Sequence, residues 1–243
     1  MQKITSKYKN AWLLGSSGGI GNSIFSILNE YSENIYTCDN KNDNSTPELN
    51  FMQIDCSQES ELRKFAEHSI QERGAPDLMI IAAGYVSSTN LNLTSEEEME
   101  KIFKMNFKLV ALAMKVFFEF CDKSKDIRKT IIIISSNAGL EARPNQPIYA
   151  AMKSAVNSLV KSQAVAWGKY NLRVNAIAPG TVAVPRNIEA LKNKLPKFPY
   201  DDTRPLGKIA NAEDLHNICR LLLEPELLLT GQILVVDGGS SLV

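Results

Sequence analysis

The 243-residue sequence predicts an α/β fold, a single doubly wound domain over residues 1–243 whose seven-stranded, mostly parallel sheet is flanked by helices on both faces. Three observations predict it. Short apolar runs alternate along the chain with amphipathic stretches of helical period, the pattern of strands joined by helical crossovers. The first apolar run passes through a glycine-rich turn directly into a helix. The length suits one large domain with an extensive core, and the sequence shows no internal repeat.

The first strand is expected over 11–14, followed by the turn Gly15-Ser-Ser-Gly18-Gly19-Ile-Gly21 and a helix in which Ile20, Ile24, Ile27 and Leu28 recur at helical spacing. Glycines let such a turn bend sharply and approach a pyrophosphate, whose charge is favoured by the free N–H groups and dipole of the helix start. A second strand, 34–39, ends in Asp39, at about the distance where a dinucleotide fold places a carboxylate to accept hydrogen bonds from the adenosine ribose. Further strands are expected over 51–55, 78–82, 130–135, 173–177 and 233–236, and the polar, turn-rich segment 40–47 reads as a loop. The stretch 184–205 carries Pro185, Pro196, Pro199 and Pro205 around a short helical patch, 187–194. It follows the strand end at which ligands of open α/β sheets bind, and is expected to be a substrate lid. Two helical faces are broader than one buried stripe requires: Phe103, Phe107, Val110, Ala111, Met114, Phe117 and Phe118, and then Val156, Leu159, Val160, Gln163, Ala164 and Trp167. Core packing and isologous pairing of copies both fit them.

The chemistry concentrates in Pro147-Ile-Tyr149-Ala-Ala-Met-Lys153, with Ser136 thirteen residues before the tyrosine. A Tyr and a Lys at i and i+4 share one helix face, which sets an ammonium beside a phenol. A phenol titrates near pH 10 in water, and a neighbouring positive charge lowers that value, so the pair is a proton-transfer device in waiting. Taken alone, the same spacing also fits an interfacial aromatic and a solvated lysine.

Other classes are disfavoured. Lys plus Arg and Asp plus Glu both number 27, so no net field favours nucleic acid or an anionic membrane. Cys38, Cys56, Cys121 and Cys219 are scattered and read as reduced structural thiols, while His68 and His216 belong to no metal-spaced cluster. The apolar runs 11–14 and 131–134 are too short for a signal peptide or a membrane span, and a cytoplasmic protein is expected. The acceptor-like tripeptides Asn44-Ser-Thr and Asn92-Leu-Thr carry no meaning there.

Together these motifs resemble the short-chain dehydrogenase/reductase family from the first strand to the C-terminus. Gly15-x-x-x-Gly19-Ile-Gly21 matches its cofactor turn, Asp55 the acid after its third strand, Asn106 in Met-Asn-Phe its asparagine, and Ser136, Tyr149 and Lys153 its catalytic trio. Arg173-Val-Asn-Ala-Ile-Ala-Pro-Gly180 and Asp237-Gly-Gly239 match its late signatures. The resemblance implies a Rossmann-type sheet and a catalytic set of Asn106, Ser136, Tyr149 and Lys153. In that set the tyrosine is the acid/base, the serine holds the substrate oxygen, the lysine binds the nicotinamide ribose and lowers the tyrosine pKa, and the asparagine anchors a relay water. It also implies cofactor contacts at Gly15, Ser17, Gly18, Gly19, Ile20, Gly21, Asp39, Asp55, Cys56, Ala82, Ala83, Gly84, Tyr149, Lys153, Pro179, Gly180 and Val182, and a homodimer or homotetramer.

Two positions depart from the family pattern. Ile81-Ala82-Ala83-Gly84 stands where Asn-Asn-Ala-Gly is usual, and Val184 where a threonine often bonds the carboxamide. The expected activity is interconversion of a secondary alcohol and a ketone with NAD as cofactor, since Asp39 disfavours a 2′-phosphate and the turn carries no Arg or Lys before its last glycines. A 3-oxoacyl-carrier-protein reductase is an alternative, although that subgroup usually takes NADP. The 2,3-dihydro-2,3-dihydroxybenzoate dehydrogenases are locally similar at Ala82–Gly84, at 205–210 and at Arg143. A Ser/Lys hydrolase would have no need of the dinucleotide turn, and a silent dinucleotide sensor would have no need of the complete polar set. Substrate contacts are expected at Tyr85, Asn137 and Arg143. The last sits in the loop joining Ser136 to Tyr149 and is placed either to grip an anionic group or to pair with Glu141.

Overall fold

The structure is a computed structural model and describes residues 8–41 and 50–243; residues 42–49, which hold most of the expected loop and the Asn44 tripeptide, lie outside the described residues. The long apolar runs become the middle of one sheet. Its strands are β1 (Tyr8–Leu14), β2 (Ser32–Asp39), β3 (Phe51–Gln53), β4 (Leu78–Ile81), β5 (Lys129–Ile134) and β6 (Leu172–Pro179), closed at the far edge by Ile233–Val236. Two two-residue strands, β7 (Val182–Ala183) and β8 (Ala210–Asn211), pair apart from it, so the edge strand is β9. Leu78, Met79, Ile80 and Ile81 are all 0% exposed, which requires cover on both faces and explains why β4 reads as an unbroken apolar run.

The order is β3-β2-β1-β4-β5-β6-β9, and all six pairings are parallel. The chain runs outward from β1 to β3, then returns to the other side of β1 with β4. The crevice beyond the carboxyl ends of β1 and β4 is therefore the topological switch point, the standard ligand site of such sheets.

One face carries α2 (Glu59–Arg73), α4 (Leu109–Phe120) and α5 (Pro147–Trp167), with Phe65, Phe117 and Val160 packed around Trp12. Phe65 and Phe117 meet the Trp12 ring edge-on at 5.4 and 5.6 Å. The opposite face carries α1 (Gly19–Leu28) and α7 (His216–Leu223), whose Ile24, Leu28, Cys219 and Leu222 cover Leu13 and Ile80. His216 ties these two helices together through Ser23 Oγ at 2.8 Å, an ordinary helix position as expected.

Several boundaries differ from expectation. β3 ends at Gln53 because Asp55 turns to accept from the Ser57 backbone N–H at 2.9 Å. β7 and β8 are too short to leave an apolar period in the sequence. The apolar face that begins at Phe103 is broken: α3 (Glu96–Phe103) joins α4 through a π-turn, Lys104–Lys108, whose extra residue per turn resets the helical phase. Phe103 is consequently 46% exposed while Val110, Met114 and Phe117 are buried. The expected lid contains a single short helix, α6 (Ile188–Lys194). All four cysteines are buried and free, and the fold brings the Sγ atoms of Cys38 and Cys56 to 3.5 Å.

Candidate active site

A cleft of about 1950 Å³ opens at the carboxyl ends of β1, β4, β5 and β6, roughly twice the upper end for pockets that take one drug-sized ligand. All the catalytic, cofactor and substrate residues expected from the sequence line it.

At one end lies the glycine turn. Gly15 has φ +86° and packs so tightly against the chain leaving β4 that a Cβ would stand 2.3 Å from the Ala83 nitrogen. A Cβ on Gly21 would stand 2.0 Å from the Gly15 carbonyl oxygen. Both positions require glycine, one for conformation and space, the other for space alone. α1 starts with no side-chain cap and no acid in its first turn, so its first N–H groups and positive dipole end are unspent and face the cleft. The small Ala82 and Ala83 let the backbone close in where longer amide side chains are absent.

Asp39, at the end of β2, is held beside this turn by the backbone. Its carboxylate accepts from the Ser17 N–H at 3.1 Å and the Asn40 N–H at 2.7 Å. Asp55 is drawn the other way, onto Ser57 and the Lys104 ammonium at 3.0 Å. Burial pushes the Asp55 carboxyl up, but the Ser57 hydrogen bonds and Lys104 outweigh it and leave the pKa lowered.

At the other end, Ser136 follows β5, and Tyr149 and Lys153 stand one turn apart on α5. Pro147 opens that helix, where its missing N–H costs nothing. Tyr149 is 8% exposed and shares the cleft with Ser136, whose hydroxyl accepts from the Ala138 N–H at 3.2 Å. Lys153 is 4% exposed, donates to the Ile134 carbonyl at 3.1 Å, and holds its ammonium 5.7 Å from the Tyr149 ring centroid. The expectation that the lysine pulls the tyrosine pKa down is not met in this state. Burial raises the Tyr149 pKa, and the Ser136 side chain and the charges of Arg186 and Arg143 only temper it. Burial, aided by Arg186, drops Lys153 to about 8.

Asn106 sits in the π-turn with 0% exposure. Its side chain grips the backbone of Tyr85, donating to the carbonyl at 2.8 Å and accepting from the N–H at 3.2 Å. That contact fixes the strand exit at Gly84, where a Cβ would lie 3.3 Å from Asn106 Oδ1 and 3.8 Å from Lys153 Nζ. The π-turn is a local irregularity of the kind that gathers at functional sites.

The expected substrate residues are less free than the sequence implies. Tyr85 donates its hydroxyl to Glu98 at 3.0 Å and lies under the Lys101 ammonium. Asn137 spends its amide on Asp237 at 3.1 Å and its carbonyl on Arg143 at 3.2 Å. Arg143 pairs with Glu141, the second of its two expected fates. Two features escape the sequence reading. Gln146 donates to Ser88 at 2.8 Å, clasping two loops of the cleft wall across 58 residues of chain. Arg186 lines the cleft, and its place six residues after Gly180 in the late signature was the available signal.

The family model described as Enoyl-(Acyl carrier protein) reductase, adh_short_C2, matches residues 17–241. The chain is a short-chain dehydrogenase/reductase. It is 26% identical over 190 residues to a 3-oxoacyl-[acyl-carrier-protein] reductase of Thermotoga maritima, covering 76% of this chain and 74% of the relative. It is 27% identical over 245 residues to an L-rhamnose 1-dehydrogenase (NADP(+)) of Thermoplasma acidophilum, covering 96% of each. Among solved structures, 4-hydroxyisoleucine dehydrogenase complexed with NADH superposes with a TM-score of 0.81 at 26% identity, covering 97% of this chain and 99% of that one. Members of this family are oxidoreductases that move a hydride between an alcohol or ketone and a nicotinamide dinucleotide, and this short-chain dehydrogenase/reductase shares that general activity. Its relatives name both NADP and NADH, so the choice between them must come from this chain's own residues.

Proposed function

We propose that this enzyme interconverts a secondary alcohol and a ketone with NAD(H), using Tyr149 as acid/base. The observation that carries the reading is the buried Tyr149 with the buried Lys153 ammonium 5.7 Å from its ring centroid, in the same cleft as Ser136 and an uncapped helix start. The glycine turn, Asp39, Asp55, Cys56, Ala82, Ala83, Gly84, Pro179, Gly180 and Val182 would hold the dinucleotide, and the backbone-lined turn and the Asp39 carboxylate fit its diphosphate and ribose. When bound, the nicotinamide supplies the hydride chemistry.

The chain's own groups supply position and protons. Ser136 hydrogen-bonds the substrate oxygen and steadies charge on it. Tyr149, kept neutral by burial, gives its proton to a ketone oxygen; in the reverse direction it takes the alcohol proton. Lys153 sets a positive charge beside that transfer and, through Asn106, the strand exit at Gly84 is held open toward it. Asp39 meets the adenosine ribose and repels a 2′-phosphate, which supports NAD over NADP. Segment 184–205 serves as the lid. The stacked Phe118 and Trp167 rings, 4.5 Å apart, and Val165, 86% exposed, belong to the α4/α5 faces through which a homo-oligomer would form. Among the described residues no helix is long and apolar enough to cross a membrane, in keeping with a cytoplasmic enzyme.

The test is titration of the protein with NADH and NADPH by fluorescence, followed by NADH absorbance across a panel of secondary alcohols and ketones. Expected are tighter NADH binding and turnover of a panel member that Tyr149→Phe abolishes. Failure to bind either dinucleotide overturns the reading.

A further inference from the structure

Two arginines, Arg143 and Arg186, line the cleft and a third, Arg204, donates to Thr181 on its wall at 3.3 Å; Arg143 and Arg204 are neutralised locally. Arg143 is paired with Glu141 and donates to Asn137 at 3.2 Å. Arg204 is paired with Asp201 at 2.8 Å. Arg186 lines the cleft and, among the described residues, makes no ion pair and no hydrogen bond. Acidic side chains do line the cleft, among them Glu97, Glu100 and Glu213, but none reaches this guanidinium.

The backbone around Arg186 is nonetheless fixed. The Asn187 side chain accepts from the Val184 N–H at 2.9 Å and donates to the Val182 carbonyl at 2.9 Å, closing a small loop. On the other side Val184 and Pro185 abut the glycine turn, where a Cβ on Gly19 would meet them at 2.7 and 3.0 Å. A clamped backbone therefore carries an uncompensated guanidinium into a cleft that already holds the buried Lys153 ammonium. Its charge reaches both reacting groups, lowering the pKa of Lys153 and tempering that of Tyr149. Such a charge beside the catalytic end favours an anionic oxygen group, which a guanidinium binds through paired N–H donors. Two sources could provide that group, the cofactor diphosphate or the substrate. The diphosphate already has the uncapped start of α1, whereas the catalytic end has no other unpaired guanidinium among the described residues.

We propose that Arg186 is a specificity-determining residue that binds a carboxylate or similar acidic group on the substrate, so that the enzyme acts on hydroxy acids and oxo acids rather than on neutral alcohols. The inference rests on the oxidoreductase reading above and narrows its substrate class.

The experiment compares matched pairs, 3-hydroxybutyrate and 4-hydroxycyclohexanecarboxylate against their methyl esters, by NADH absorbance. The corresponding oxo acids and oxo esters are titrated into the enzyme–NADH complex by fluorescence. Expected is a preference of about 10- to 100-fold for the acid over its ester in kcat/KM or in affinity, the range of one charge-assisted contact. Arg186→Leu should bring that ratio near unity and Arg186→Lys should restore part of it, with the NADH Kd within about twofold of wild type in both. Equal use of acids and esters, a preference that survives in Arg186→Leu, or no binding of any oxo acid to the NADH complex overturns the proposal. So does a weakened NADH Kd with an unchanged acid preference, which would assign Arg186 to the cofactor diphosphate. If the wild-type protein binds no NADH at all, the oxidoreductase reading itself falls, and this inference with it.

Discussion

Lys153 holds its ammonium 5.7 Å from the ring centroid of Tyr149 one turn earlier on α5, and burial keeps that phenol protonated. The phenol is thus set as a proton donor. Tyr149→Phe removes the donor with little change of shape and should lower turnover by about 10²–10⁴-fold. NADH affinity should stay within about twofold, because the lost oxygen faces the reacting group. Steady-state rates alongside an NADH titration check this, and a near-wild-type rate in the variant would show that the proton moves through another group.

Asp39 has its carboxylate anchored by the N–H groups of Ser17 and Asn40, so it has little freedom to swing away from a phosphate placed near it. NAD should therefore bind at least about tenfold more tightly than NADP, the scale of one hydrogen bond to a charged group. Asp39→Ala should weaken NAD and strengthen NADP, narrowing the ratio from both sides. Two dissociation constants for each protein decide it, and equal affinities in the wild type would remove Asp39 from cofactor choice.

Much of this architecture was legible in the sequence because burial on both faces forces continuous apolar runs, as in Leu78–Ile81, and because the glycine turn follows the first run directly. The strand order β3-β2-β1-β4-β5-β6-β9 is not contained in that alternation and comes from the fold itself. What the sequence left open depends on contacts between distant segments. The pairing of Tyr85 with Asn106, of Gln146 with Ser88 and of Asn137 with Asp237 leaves no local periodicity. The π-turn at Lys104–Lys108 was likewise invisible, since its residues also suit an unbroken α-helix, and the exposure of Phe103 follows from it. The direction of the Tyr149 pKa was misread for a related reason. Helical spacing places Lys153 nearby, but only the fold reveals that both groups are buried and that burial dominates.

Gly21 leaves no room for a side chain, because a Cβ there would meet the Gly15 carbonyl oxygen at 2.0 Å. The obstacle is backbone, so relief requires moving the glycine turn itself. Gly21→Ala should cost about 2–4 kcal/mol of stability, an overpacking penalty at its upper range. Because the displaced turn is also the proposed diphosphate cradle, NADH affinity should fall in the same variant. Urea unfolding and an NADH titration read the two effects, and a variant with wild-type stability would mean that the turn is looser than this packing implies.

Lys153 provides a test of the opposite sign. Its pKa in the folded protein is about 8 against an ordinary 10.5, with burial as the first cause and Arg186 as the second. Between those two values the unfolded chain binds more protons than the folded one, so this residue makes stability rise with pH across that window. Below pH 8 the folded protein carries the full cost of a buried ammonium, about 3 kcal/mol at one pKa unit per 1.36 kcal/mol. Lys153→Met removes the charge but leaves the Ile134 carbonyl without its donor, which returns about 1 kcal/mol of that gain. The net expectation is a protein more stable than wild type by about 2 kcal/mol at pH 7, with the difference shrinking as pH rises from 8 toward 10. Activity should be lost in the same variant, since the charge that destabilises the fold is the one set beside Tyr149. Urea denaturation of both proteins at pH 7, 8, 9 and 10 measures the trend, and a difference that is independent of pH would assign the effect to packing rather than to the buried charge.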